Sequence, residues 1–200
     1  MKKYIVFICF IIFLPAVSSA EIPSQIAGFV LGDDISDYKD KLRPDSEMSI
    51  RHMECLKEVE IKKIPGFKSG LIYYGTCTGQ KRILRIKLKY EDASADFYKE
   101  LLKEYKKRFG EPDEWKGDPF HVVLAWKWRF KDKNDNKIIM ILQHNTGDEG
   151  EKMGNSVKLT LHSLMEAELL CYKNKESGES GEKEEQKTWK KKDWDMLIPR

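Results

Sequence analysis

The chain has 200 residues, of which 34% are charged and 40% hydrophobic, a composition that suits one domain with a compact core. Its formal charge is +3, and the segment 21–172 holds equal numbers of basic and acidic residues, 26 of each. This neutrality argues against a dedicated nucleic-acid binder, which usually carries a strong basic excess. It also excludes an acidic solvating polymer.

The N-terminus has the organisation of a secretory signal peptide. Lys2 and Lys3 precede an apolar run over 4–14, and a series of small residues ends at Ala20. The run is shorter than the roughly 20 residues that a bilayer span needs, which opposes the alternative of an uncleaved anchor. We therefore expect residues 1–20 to be removed as a signal peptide. The product would be exported, periplasmic or secreted, with no transmembrane segment.

A first helix is predicted after a pair of aspartates. Ile35, Tyr38 and Leu42 are spaced three and four residues apart, which is typical of a short amphipathic helix, and Pro44 is expected to end it. Three strand-like segments follow, at 55–64, 70–78 and 81–90.

The second helix has the strongest periodicity in the chain. An apolar stripe begins at Phe97 and ends at Phe109, Asp92 or Ser94 can cap its N-terminus, and Gly110 suits the position after its last turn. Three further strands are predicted at 121–131, 137–145 and 156–162. After them, either a short helix runs to Tyr172 or the last strand continues.

This order, α-β-β-β-α-β-β-β, predicts an α+β fold. Strands joined by short turns form antiparallel sheets, so we expect about six strands with the helices packed on one face and the other face open to water. The repeated order suggests two copies of one unit, without visible sequence identity between the halves. Residues 21–172 would form this single domain. Residues 173–200 would form a charged flexible tail whose apolar end, at 194–199, either docks or frays.

Two short motifs resemble a known family. Phe29-Val30-Leu31-Gly32 leads into the acidic start of the first helix, and Phe109-Gly110-Glu111-Pro112 ends the second. This pattern is similar to the helix-plus-antiparallel-sheet fold of β-lactamase inhibitor protein and small outer-membrane assembly lipoproteins. The resemblance implies a protein-binding module rather than an enzyme. The chain has neither the lipidated cysteine nor the Leu-Gly before the second helix, and no functional residue is carried over.

The sequence does not favour a metal, cofactor or catalytic site. The four histidines are scattered, and the segment 132–136 begins like a calcium loop but lacks the later glycine and glutamate, so a plain turn is the better interpretation. Trp126 and Trp128 share a strand face with aliphatic residues, which favours core packing over sugar stacking. An acidic cluster follows the second helix and could supply an acid/base pair for a hydrolase; it comprises Glu111, Asp113, Glu114 and Asp118.

Basic residues recur at alternate strand positions, opposite the apolar faces of their strands. In a one-layer sheet all six would point to the open face, giving a cationic surface on a neutral body; they are Arg85, Lys87, Lys89, Lys127, Arg129 and Lys158. The alternative is an ordinary solvated face whose lysines protect edge strands.

Three cysteines remain after the expected cleavage. Cys55 and Cys77 lie symmetrically about Gly66, so a hairpin turning at Pro65-Gly66 would place them opposite each other and allow a disulfide. A turn at Ser69-Gly70 would separate them. Cys171 is expected to be an unpaired thiol.

Taken together, the sequence predicts an exported, non-enzymatic binding module without a cofactor. Its partner would be an acidic protein or an anionic envelope polymer, bound by the basic sheet face, and not nucleic acid. An envelope hydrolase using the acidic cluster is one alternative. A structural subunit of a larger envelope assembly is another.

Overall fold

The computed structural model describes residues 21–147 and 154–179. The predicted signal peptide, the segment 148–153 and the chain after residue 179, including its apolar end, lie outside the described residues. No helix of the described residues is long and apolar enough to cross a bilayer.

Antiparallel strands dominate the described part of the chain. The strands are Gln25–Ile26 (β1), Phe29–Val30 (β2), Leu42–Ile50 (β3), Met53–Ile61 (β4), Phe67–Gly75 (β5), Ile83–Tyr90 (β6), Glu114–Trp115 (β7), Val123–Lys131 (β8), Lys137–Asn145 (β9) and Gly154–Leu161 (β10). The helices are a 3-10 helix at Ile35–Lys41, α1 at Ala95–Phe109 and α2 at His162–Glu179. The predicted α+β class is therefore confirmed.

Eight strands form one sheet in the order β3-β4-β5-β6-β10-β9-β8-β7, and β1 pairs only with β2. Each half of the chain contributes four consecutive strands. The two four-stranded groups are joined where their last strands, β6 and β10, pair antiparallel. The sheet is larger than the six strands predicted, because β3 and β7 extend it at its two edges.

The two additional strands lack a usual strand signal. β3 contains Pro44 and several charged residues, and most of its side chains are exposed, so its sequence does not alternate. An edge strand tolerates proline because one side of its backbone needs no partner in the sheet. β7 has only two residues. The predicted first helix is instead a 3-10 helix that ends at Lys41, and the chain passes directly into β3.

Helix α1 forms where it was predicted and packs on one face of the sheet. The Ser94 side chain accepts a hydrogen bond from the N–H of Phe97 at 3.2 Å, and the N–H of Gly110 bonds to the carbonyl of Lys106 at 2.9 Å. Trp128 is only 1% exposed and donates its indole N–H to the carbonyl of Gly110 at 2.8 Å. The indole therefore fixes the end of α1 against β8, and the prediction that this tryptophan belongs to the core is confirmed.

A buried polar pair fixes the beginning of α1. Asn155, on β10, is fully buried, and its Oδ1 accepts a hydrogen bond from the Nδ1–H of His144, its neighbour on β9, at 2.8 Å. Its amide nitrogen donates to the carbonyls of Asp92 and Ser94 at 2.8 and 2.9 Å. Tyr98 stacks on the imidazole ring. Every polar atom of the asparagine is thus engaged, and the segment before α1 is tied to the middle of the sheet.

Helix α2 lies on the other face, which corrects the prediction that both helices share one side. Its Met165 joins a buried cluster with Leu56 and Leu84, and its Glu168 lies directly over Gly75. Leu84 is the extra residue at an irregularity between β5 and β6. We call the sheet face opposite α1 the far face. Among the described residues, α2 covers one end of the far face and the remainder is open.

Three residues on one side of α2 hold it to the loop between β5 and β6. Glu168 is 1% exposed, and its carboxylate accepts hydrogen bonds from the N–H groups of Cys77 and Thr78 and from the Thr78 hydroxyl. Cys171 forms a disulfide with Cys77, and the Lys175 ammonium donates to the Cys77 carbonyl at 3.1 Å. These three helix residues are spaced three and four apart, so they share one helix face.

The predicted disulfide between Cys55 and Cys77 is wrong, as is the prediction that Cys171 is unpaired. The structure joins Cys77 to Cys171, with Cα atoms 6.0 Å apart. The hairpin register explains the difference, because Thr76 is the residue that donates its N–H to the Cys55 carbonyl, at 2.9 Å. Cys77 lies one residue further on, in the loop facing α2. Cys55 is buried and takes no part in the disulfide.

Replacement of Gly75 by alanine should destabilise the fold by about 1–3 kcal/mol, because the new methyl group would overlap the buried carboxyl group of Glu168. Urea denaturation measures the effect. In a Glu168→Ala background the same change should cost clearly less. An equal cost in both backgrounds would show that Glu168 is not the group that excludes a side chain at this position.

Peptide mapping under non-reducing conditions should recover a fragment in which Cys77 is joined to Cys171. Cys171→Ser should lower the free energy of unfolding by about 2–5 kcal/mol, since the bond closes a loop of 94 residues. Cys55→Ser is the matched control and should leave the mapped bridge intact. A bridge between Cys55 and Cys77 in the wild-type protein would contradict this assignment.

Candidate binding groove on the far face

The cationic residues singled out in the sequence lie on the far face of the sheet. Cross-strand pairing places Lys87 of β6 opposite Lys158 of β10, then Ile141 of β9, then Lys127 of β8. Leu71 of β5 faces Lys87 from the other side and extends this row. The other three predicted residues lie on the same face, two residues along their strands from this row; they are Arg85, Lys89 and Arg129.

Four of the six predicted residues line a concavity of about 900 Å³, which we call the groove. The four are Arg85, Lys87, Lys89 and Lys158. Leu71 and Ile141 add apolar surface beside them. The lining contains eight cationic side chains and one carboxylate, that of Glu60. Since the body of the chain is neutral, this groove concentrates positive charge that is balanced elsewhere on the surface.

Two lysines directly opposite each other occupy the centre of the groove. Lys158 is half-buried and Lys87 is exposed, and among the described residues no carboxylate forms an ion pair with either ammonium group. Burial lowers the pKa of Lys158, and the positive charges of Arg85, Lys87 and Lys127 lower it further. Like charges opposite each other destabilise a sheet. We call Lys87 and Lys158 the central pair.

The third cation at the centre, Arg85, is held in a defined position. Its Nε donates to the hydroxyl of Thr160 at 3.1 Å, and its guanidinium lies 5.3 Å from the centre of the Tyr73 ring. It also approaches the sulfur of Met165 on α2, at 3.4 Å, so α2 lies next to one of the residues that line the groove. Burial lowers the pKa of this guanidinium. These contacts orient the charge but leave it without a carboxylate partner among the described residues.

Lys127 and Arg129 differ from the other predicted residues because Glu114 pairs with both. The carboxylate lies 3.4 Å from the Lys127 ammonium, and it also forms ion pairs with Arg129 and Lys116. These contacts, led by the hydrogen bond to Lys116, lower the pKa of Glu114 to about 2. The six predicted cations are therefore not one uniform surface. Lys127 and Arg129 line a separate concavity of about 440 Å³, beside Ile139.

Sequence reasoning missed the cations at the rim of the groove. They come from β3, β5 and the connection between β4 and β5, and they are Arg43, Lys62, Lys63 and Lys68. Arg43 is paired with Glu60 at 2.8 Å, and Lys63 lies 3.8 Å from Glu91. No alternating pattern marks these positions, because β3 was not predicted and the connection is not a strand. Only the final register of β3, β4 and β5 brings them together.

The acidic cluster after α1 does not form a poised acid/base pair. Glu111 pairs with Lys106 at 2.7 Å, and Asp113 accepts the backbone N–H of Arg129 at 2.6 Å. Asp118 caps a turn by accepting several backbone N–H groups, which lower its pKa, and the pKa of Glu114 is also lowered, as described above. A general acid needs a raised pKa, so the shifts run in the opposite direction. The alternative of a hydrolase gains no support here.

Turn geometry also accounts for the segment that begins like a calcium loop. The Asp132 carboxylate accepts the N–H groups of Asn134 and Asn136 at 2.8 and 2.9 Å, inside the turn between β8 and β9. The described part of the chain contains no cluster of three or more His, Cys, Asp or Glu side chains arranged for a metal ion.

Comparison with known proteins gives no relative. No protein-family model, no curated protein and no solved structure matches this chain. The resemblance to β-lactamase inhibitor protein and the assembly lipoproteins therefore stays a prediction. The groove and its charges are the basis for a functional proposal.

Removal of the charge at Lys158 should stabilise the protein. Lys158→Met should raise the free energy of unfolding by up to about 1 kcal/mol at neutral pH, because it ends the repulsion within the central pair, whereas Lys158→Arg should not. The folded protein binds a proton at Lys158 more weakly than the unfolded chain does, so the destabilisation caused by the charged Lys158 diminishes as pH rises. The difference in free energy of unfolding between the wild type and the more stable Lys158→Met variant should therefore shrink as pH approaches 10.5.

Thermal or urea unfolding of the three proteins between neutral and alkaline pH measures this difference. A Met variant that is less stable than wild type at neutral pH would contradict the assignment of strain to the central pair.

Proposed function

We propose that this protein is an exported binding module whose groove on the far face takes up an acidic protein or an anionic envelope polymer. The proposal includes no reaction and no cofactor. Binding begins through long-range attraction between the cationic groove and the negative partner, and it weakens as salt screens that attraction.

The central pair is the observation that carries this proposal. A sheet gains no stability from two lysines placed opposite each other, one half-buried and one exposed, when no carboxylate among the described residues forms an ion pair with either. Local rules of sheet stability are most often broken where a residue serves binding rather than folding. An anion placed between Lys87 and Lys158 would relieve their repulsion and raise the pKa of Lys158 toward its ordinary value.

The shape of the groove fits a large partner better than a small molecule. About 900 Å³ is spread along an open sheet surface, and much of the lining consists of long, flexible lysine side chains. Such a surface presents charge over a wide area without an enclosed cavity. An extended acidic segment or a charged polymer contacts several of these cations at once.

Export is supported by the charged and apolar N-terminus and by the disulfide. The Cys77–Cys171 bond is a feature of proteins that fold outside the reducing cytosol. The N-terminal residues 1–20 keep their predicted role as a signal peptide under this proposal.

Charge reversal at the central pair tests the proposal. Lys87→Glu combined with Lys158→Glu should weaken binding of fluorescent poly-L-glutamate and of polyphosphate at low salt by at least about tenfold, a loss of about 1.4 kcal/mol. The matched control combines Lys103→Glu with Lys133→Glu, two exposed positions outside the groove that change the net charge equally. Circular dichroism confirms that each variant folds.

The control should bind both polyanions within about twofold of wild type at the same salt concentration. An equal loss in the control and in the groove variant would mean that net charge, and not the groove, determines binding. Wild-type protein that binds neither polyanion at low salt would overturn the proposed function.

A further inference from the structure

The cations of β6 repeat along the groove at a fixed interval. Arg85, Lys87 and Lys89 occupy every second position of the strand, and all three line the groove. A strand rises about 3.4 Å per residue, so their Cα atoms are spaced about 6.8 Å apart. The regular strand keeps this spacing fixed, although the side-chain ends can move.

An extended polypeptide has the same repeat. If such a segment lies along β6, every second side chain points toward the sheet, at intervals of about 6.8 Å. A segment with an acidic residue at each of these positions would place one carboxylate opposite each of the three cations. The match follows from backbone geometry shared by ligand and strand.

The apolar residues beside the cations favour glutamate in such a segment. Leu71 and Ile141 flank the central pair in the same row, and both are half-buried in the groove lining. A glutamate has a two-carbon stem that can contact these side chains while its carboxylate reaches the ammonium groups. Inorganic polyphosphate has no apolar part and leaves this surface uncovered.

The middle position of the segment receives the most charge. Lys87 is directly opposite Lys158, so a carboxylate there lies between two ammonium groups. The positions beside Arg85 and Lys89 face Thr160 and Ser156 on β10 instead. A carboxylate at the middle position therefore gains two ionic contacts, whereas those at the ends gain one cation of β6 each.

We infer that the groove recognises an acidic protein through an extended segment with glutamate at alternate positions, lying along β6. This inference rests on the proposed function and specifies the partner that the groove takes. The central glutamate of the segment occupies the space between Lys87 and Lys158, and its neighbours on the same side reach Arg85 and Lys89.

Two fluorescent peptides of identical composition test the spacing. In one, Glu and Ser alternate, and in the other the glutamates form one block followed by the serines. Fluorescence polarisation at low salt should show the alternating peptide binding about tenfold more tightly. Lys87→Glu combined with Lys158→Glu should abolish that difference, and Lys103→Glu combined with Lys133→Glu should preserve it.

A third peptide tests the central position. Replacement of only the middle glutamate of the alternating peptide by glutamine should weaken binding more than the same replacement at the first glutamate. Equal binding of the alternating and block peptides overturns the extended register. If the groove variant still fails to bind both peptides, the proposed function stands without that register. Groove-dependent binding of polyphosphate with no binding of either peptide overturns the polypeptide as partner. Absence of groove-dependent binding for every polyanion overturns the proposed function as well.

Discussion

The pairing of β6 with β10 is the contact on which the rest of the structure depends. It joins two groups of four consecutive strands into one sheet, and each group alone would leave its last strand as an open edge. On the α1 face this pairing sets Leu88 against Val157 and Ile86 against Leu159, all buried. Burial of each such side chain is worth about 1.5–3 kcal/mol, whereas an opposed pair of like charges costs at most about 1 kcal/mol. The free energy gained by burying these apolar residues where β6 meets β10 therefore outweighs the repulsion within the central pair on the far face.

This balance explains how a cationic groove persists on a body whose total charge, over residues 21–172, is zero. The core requires β6 and β10 to be neighbours in this register, and the register then fixes which far-face residues meet. Lys87 and Lys158 are brought together by the same alternation that buries their neighbours. At the edge of the sheet the situation is different, since Glu114 forms ion pairs with both Lys127 and Arg129 there. Among the described residues, Arg85 and the central pair, which lie where β6 meets β10, have no carboxylate partner.

Sequence periodicity was sufficient to predict the helices and strands that have a strong pattern. It was insufficient to predict contacts that depend on the register of distant strands. Alternation located β6, β8 and β10, and helical spacing with a cap located α1, because each of these patterns reflects burial of one face. A nearly continuous apolar run located β9. The same alternation placed Arg85, Lys87, Lys89 and Lys158 on the open face of the sheet, but it did not predict the groove. The disulfide could not be assigned, because a shift of one residue in the hairpin moves Cys77 from the strand to the loop. The side of the sheet that α2 covers was also missed, since it depends on Gly75 leaving room for Glu168.

Glu168 shows how much of this arrangement is specified by one buried carboxylate. Its position on α2 selects the β5–β6 loop, where the two N–H groups and the Thr78 hydroxyl satisfy it. With the helix in this position, Cys171 forms the disulfide with Cys77, and Lys175 donates to the Cys77 carbonyl. The same helix position brings Met165 to Arg85, one of the residues that line the groove. Helix position, disulfide pairing and the orientation of Arg85 therefore share one local cause.

The separation of Cys77 from Cys171 affects the order in which the protein matures. A chain that emerges from its N-terminus completes the β4–β5 hairpin, with Cys55 in β4 and Cys77 two residues beyond β5, while the other half of the sheet is still missing. In an oxidising compartment these two thiols are then the first available pair, and their bridge would occupy the sulfur that α2 needs. Maturation of such molecules requires thiol–disulfide exchange, in which a thiolate of Cys171 attacks Cys77 and releases Cys55 into the interior. The native bond can therefore form only after β10 has paired with β6 and α2 has packed on the far face.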